Sequence, residues 1–158
     1  MADDIVRCHT CGRGQQVSAT AWEPPRCDAC GHLLAWVTRV GEDTFAEAVT
    51  STRAPVLVDL TASWSPRCRL VSPTLNRIAR ERPGAVKLVR VDVEAAPGLA
   101  RRLAVEVVPT LLVLRDGEEV ARRAGAASAA HLRRWIGQTL AALEQVEARG
   151  PAAKPVPV

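Results

Sequence analysis

The chain has 158 residues, 47% of them hydrophobic, 24% charged and only 3% aromatic, with a formal charge of +4, which suits one core of Val, Leu, Ala and Ile plus a small appendage. No apolar run approaches the roughly 18 residues of a membrane-spanning helix, and the acidic start Met1-Ala2-Asp3-Asp4 lacks the basic lead of a secretory signal, so a cytoplasmic protein without membrane partners is expected. The basic residues fall as arginine pairs, Arg101-Arg102, Arg122-Arg123 and Arg133-Arg134, a pattern of solvated faces that argues against nucleic-acid binding.

Four of the five cysteines come first, as Cys8-His9-Thr10-Cys11-Gly12 and Cys27-Asp28-Ala29-Cys30-Gly31. Their C-x2-C-x15-C-x2-C spacing reads as a zinc site: two sulfurs on each of two tight turns supply a tetrahedral S4 set at about 2.3 Å from the metal. Gly12 and Gly31 let the chain turn through positive φ so that backbone N–H groups face the thiolates. Two local disulfides or a redox dithiol pair are the competing reading, disfavoured by a reducing compartment and the paired spacing. His9 and His32 lie beside the knuckles, where four cysteines already complete the ligand set. A closed S4 site leaves no position for substrate, so the metal is expected to be structural and to replace the core that a segment of about 30 residues cannot build. The module is assigned to residues 1–33.

Leu33 to Thr38 reads as a short strand, and Asp43 or Thr44 as the cap of a helix running to about Ser51. Val56-Leu57-Val58-Asp59-Leu60 is an apolar strand broken by one carboxylate. After the turn Trp64-Ser65-Pro66-Arg67-Cys68 comes a helix interrupted by Pro73, where a kink is expected, and ended by Pro83-Gly84. Val86 to Val93 is a strand; a short helix follows Pro97; Val107 to Leu114 is a strand entered through Pro109. Asp116-Gly117 is a hairpin turn, Val120 to Ala124 pairs back, and Ser128 caps a final helix. The order βαβαβαββα predicts an α/β fold, a central mixed sheet flanked by helices: the alternating units give parallel strands and the hairpin an antiparallel edge. This domain is assigned to 34–148. The proline-rich stretch 149–158 is expected to be a disordered tail.

The chemistry centres on Ser65 and Cys68. A C-x-x-C dithiol at a strand-to-helix turn is a redox motif, and here the spacing survives as S-x-x-C. A hydroxyl cannot replace the attacking thiolate, because thiol–disulfide exchange passes through a bond between two sulfurs. Asp59, in a buried strand, reads either as a proton relay to Cys68 or as an acid paired to Arg90 or Lys87 on the adjacent strand.

Over about residues 5–146 the chain resembles the thioredoxin family, in its bacterial form with an N-terminal zinc ribbon. The resemblance rests on Val56-Leu57-Val58-Asp59, on Trp64 and Cys68 at the ends of a W-C-G-P-C-like site, on Ser72-Pro73, on Val108-Pro109-Thr110, and on Asp116-Gly117 and Gly125. It implies a thioredoxin fold, a cis peptide before Pro109, and a nucleophile position at Ser65 resolved by Cys68 with help from Asp59. It also implies a peptide groove at Trp64, Val108, Pro109 and Gly125. Four positions depart: Ser65, Pro66, Arg67 and Thr61. The expected protein is therefore a thiol–disulfide oxidoreductase relative whose dithiol reductase activity is lost or altered. The alternatives are a non-catalytic peptide-binding module and a zinc-linked, redox-sensitive chaperone. Expected partners are proteins bearing disulfides or thiols, with a thioredoxin reductase if turnover survives; a monomer is expected.

Overall fold

The computed structural model describes residues 4–149, so the tail expected at 149–158 lies almost wholly outside the described residues. The elements are β1 (Asp4–Arg7), β2 (Gly14–Val17), β3 (Val37–Val40), α1 (Glu42–Thr50), β4 (Val56–Thr61), α2 (Pro66–Glu81), β5 (Lys87–Asp92), α3 (Pro97–Arg102), β6 (Thr110–Arg115), β7 (Glu118–Ala124) and α4 (Ala129–Arg149). β1 and β2 form a hairpin of their own; the other strands make one sheet in the order β3-β5-β4-β6-β7.

β3, β5 and β4 run parallel, β6 is antiparallel to β4, and β7 is antiparallel to β6. Alternation alone placed β6 among the parallel strands, and the structure corrects this. α3 has six residues, about 9 Å of helix, against about 20 Å for a six-residue strand. The chain does not cross back to the end where β5 began, and β6 enters from the end where β5 stops, Thr110 pairing with Leu60. The return turn is as expected: Asp116 and Gly117 have φ of 52° and 80°, the signs of a type I′ hairpin.

Every residue from Val56 to Leu60 is buried, and their alternation builds two cores. Val56, Val58 and Leu60 pack with Val89, Val91 and Leu112 under Phe45 and Val49 of α1 and Leu99 of α3. Leu57 packs on the opposite face with Leu88 and Leu111 under Val71, Leu75 and Ile78 of α2 and Leu132 and Ile136 of α4. Each such side chain contributes about 2 kcal/mol by leaving water.

Three boundaries differ from expectation. The N-cap of α1 is Gly41; Asp43 lies inside the first turn with Glu42, where negative charge favours the helix dipole. Glu42 also accepts the Leu99 N–H at 3.0 Å and so caps α3, which has no side-chain cap of its own. A Cβ on Gly98 would meet that carboxylate at 2.8 Å, so a larger residue there would push the Glu42 side chain aside. β3 begins only at Val37, because the preceding residues turn to the N-terminal module: Leu34 N–H donates to Pro25 O at 2.9 Å, and Leu34 and Trp36 pack with Cys8, Val17 and Cys27. β6 begins at Thr110, after Pro109, which has no N–H for a ladder. The hairpin β1–β2 was not anticipated from sequence.

Candidate functional site

The N-terminal module brings the sulfurs of Cys8, Cys11, Cys27 and Cys30 within 4.8 Å of one another. Cys8 and Cys30, and likewise Cys11 and Cys27, are 3.5 Å apart, near the roughly 3.8 Å edge of a tetrahedron of thiolates around one ion. All are free thiols, so the two-disulfide reading does not describe this structure. Each knuckle is closed by the glycine after it: Gly12 N–H donates to Cys8 O at 2.9 Å and Gly31 N–H to Cys27 O at 2.8 Å, with φ of 76° and 78°.

Backbone N–H groups set the charge on the sulfurs. The Cys11 and Thr10 N–H groups pull the Cys8 thiol down to about 6 against the effect of desolvation. At Cys30 the His32 N–H acts the same way, but desolvation and the sulfurs of Cys8, Cys27 and Cys11 outweigh it and push the thiol up to about 12. Four sulfurs this close cannot all ionise unaided; a cation among them allows it. The donor set thus fits a metal ion. His32 Nδ1 lies 3.3 Å from Cys30 Sγ, and His9 is exposed.

At the other end of the chain's chemistry, β4 passes into α2 through Trp64 and Ser65. Ser65 is the N-cap of α2 and Pro66 its first residue, a strong start because the hydroxyl accepts an orphan N–H and proline needs no acceptor. The N–H that Ser65 Oγ accepts is that of Cys68, at 3.4 Å. Ser65 is 3% exposed and Cys68 4% exposed, whereas Trp64 is 60% exposed. Arg67 faces solvent, and the first turn of α2 holds no acidic residue.

Asp59 is 2% exposed and sits on the α2 face of β4, opposite Arg90 in the ladder. Of its two possible partners the structure selects Arg90, whose Nε donates to Asp59 Oδ2 at 3.2 Å. The guanidinium also donates to Asn76 Oδ1 at 2.7 Å and to the Ser72 carbonyl at 3.2 Å, clamping β4 and β5 to α2 beside Pro73. Burial pushes the Asp59 carboxyl up more than Arg90 pulls it down. Asp59 Oδ1 has no hydrogen-bond partner among the described residues. Lys87, three residues before Arg90 on β5, points to the other face.

The Val108–Pro109 peptide is cis. The β4–β6 ladder pairs Leu60 with Thr110; continued, it sets Pro109 and Val108 beside the turn leading to Trp64. Trp64, Ser65, Arg67 and Val108 line one open cleft with Pro97, Ala100 and Arg101 of α3 and with Val105 and Val107. Pro109 is buried behind it, its carbonyl accepting the Gly125 N–H at 2.8 Å; Gly125 has φ 84°. Cys68 and Asp59 lie beneath the cleft rather than in it. The α3 wall was missed from sequence; its signal was the short apolar spacing after Pro97.

The family model for thioredoxin matches residues 36–138. The chain is similar to thioredoxin C-3 of Corynebacterium nephridii, 30% identical over 139 residues that cover 86% of this chain and 95% of that protein. It is 34% identical to thioredoxin C-2 of the same organism over 108 residues, 68% of this chain and 100% of that protein. A thioredoxin of Mycobacterium tuberculosis is 37% identical over 102 residues, 65% of this chain and 88% of that protein.

Proposed function

This chain belongs to the thioredoxin family of thiol–disulfide oxidoreductases, and from that premise we propose that it binds protein segments bearing thiols or disulfides without turning disulfides over as a dithiol enzyme. Reducing a disulfide takes two thiols: one attacks and forms a mixed disulfide, the second breaks it, and together they give up two electrons. Ser65 stands where the family resemblance sets the attacking sulfur, and its hydroxyl serves as a helix cap. The observation that carries this reading is that the one sulfur at the turn, Cys68, is buried with its N–H bound to Ser65 Oγ. Trp64 and Val108 form the binding surface, with Pro109 and Gly125 supporting it; Asp59 shapes the interior beneath.

In the same proposal the module of residues 1–33 holds one zinc ion through Cys8, Cys11, Cys27 and Cys30 as a structural element of the domain formed by 34–148. The exposure of Cys11 and Cys30 favours, as a second reading, a module that oxidants open to expose a client-binding surface. Turnover of a protein disulfide in the presence of a thioredoxin reductase tests the first reading. No turnover is expected, and turnover at the rate of a dithiol thioredoxin would overturn it. Thiol titration with and without a chelator, before and after mild oxidation, tests the second.

A further inference from the structure

We propose that the cleft beside Trp64 selects extended peptide segments in which acidic side chains flank an apolar one; this rests on reading the cleft as the peptide-binding site. The two walls come from different elements. Arg67 stands on the first turn of α2, and Arg101 on α3 opposite. Both are exposed. Arg115, Arg122 and Arg133 are each paired to a glutamate, whereas neither Arg67 nor Arg101 has an ion-pair partner among the described residues.

Most of the other residues lining the cleft are apolar, with Trp64 60% exposed and Val107 44% exposed. An apolar side chain of a bound segment has that surface to cover, and its neighbours along the chain meet the two arginines. The N-terminus of α2 adds partial positive charge on the same side, with no acidic residue in its first turn to offset it. One carboxylate, Glu106, borders the cleft, so the balance of formal charge along the walls is positive. Guanidinium groups prefer carboxylates, which they bind through paired N–H donors, and a basic segment would meet like charge.

The test uses the full chain and three synthetic peptides of equal length with one central apolar residue flanked by Glu, Gln or Lys, titrated calorimetrically at low and high salt. The Glu peptide is expected to bind about tenfold more tightly than the Gln peptide, as two exposed ion pairs together allow, and to lose that advantage at high salt. The double variant Arg67→Glu/Arg101→Glu, whose changes are on exposed side chains, should reverse the order and favour the Lys peptide. Equal binding of all three peptides, unchanged in the double variant, overturns the selectivity and leaves peptide binding standing. Binding of none overturns both.

Discussion

Lys87 Nζ donates to the Ala19 carbonyl at 2.6 Å, joining the middle of the sheet to the N-terminal module. The same nitrogen donates to the Ala48 carbonyl at 2.7 Å near the end of α1 and lies 5.3 Å from the centroid of a Trp36 ring. Lys87 is 0% exposed and has no carboxylate among these partners. Burial pulls its ammonium down to about 8; a neutral amine still has the two N–H groups that two carbonyls need.

Lys87→Met should therefore loosen the joint. Two buried carbonyls lose their donor, for a loss of about 2 kcal/mol at neutral pH, and amide exchange should quicken in residues 4–33 before it does in the sheet. The pH dependence has a definite sign. Between about 8 and the unfolded lysine value of about 10.4, the unfolded chain still holds a proton that the folded chain has released. Unmodified protein should gain stability across that window, and the variant should not. Denaturant titrations of both proteins across the window check this; parallel curves would refute the assignment.

Arg90→Met leaves the buried Asp59 carboxylate without its cation and frees Asn76 and Ser72 from β5. A loss of about 3 kcal/mol is expected at neutral pH. Because burial already raises the Asp59 carboxyl, the loss should shrink as pH falls toward about 4 and the folded chain takes up a proton ahead of the unfolded one. Chemical denaturation of the variant and the parent over that range is the measurement; a loss that grows on acidification would count against it.

Disulfide turnover is to be compared among the unmodified chain, Ser65→Cys and Cys68→Ala. No turnover is expected from the first and third. Ser65→Cys should gain it, since Arg67 and the N-terminus of α2 both favour a thiolate there, with a potential more oxidising than thioredoxin's because the reduced form is stabilised. Ser65→Ala separates structure from chemistry: it removes the cap and should cost about 1 kcal/mol of stability. No gain in a well-folded Ser65→Cys would mean that the site has diverged beyond one residue.

Elemental analysis should find one zinc per chain. Chelation should release it and quicken amide exchange in residues 4–33, while the five-stranded sheet, with apolar cores on both faces, stays folded. Metal-free protein with unchanged exchange in the knuckles would oppose a structural role.

Much of this was legible residue by residue. The paired knuckles announced a cluster of four sulfurs through their spacing and glycines, and the apolar run Val56 to Leu60 announced a strand, which the family resemblance set at the centre of the sheet. Ser65 and Pro66 marked a helix start by local chemistry alone. What stayed hidden depends on distant partners. Glu42 capping α3, Lys87 reaching Ala19, and Arg90 rather than Lys87 pairing with Asp59 each join positions far apart in sequence. The choice between Arg90 and Lys87 turns on strand parity, which sends one to the α2 face and the other to α1. The direction of β6 differs from alternation because it is set by its pairing with β4, a partner about fifty residues earlier in the chain.

The two rims of the main sheet are protected by different means. β7 forms one rim and carries Glu118, Glu119, Arg122 and Arg123, with a register irregularity between Val113 and Leu114 on its neighbour; charge and a broken ladder discourage strand-to-strand joining. β3 forms the other rim, is short and alternates Val37, Thr38, Arg39 and Val40, and has β1 packed beside it. Its protection is thus lent by the module that carries the four clustered sulfurs. Stripping the metal should bare that rim and let two chains join edge to edge. Sedimentation under chelator should then show a concentration-dependent dimer that zinc dissolves, and a strictly monomeric metal-free chain would show that β3 guards itself.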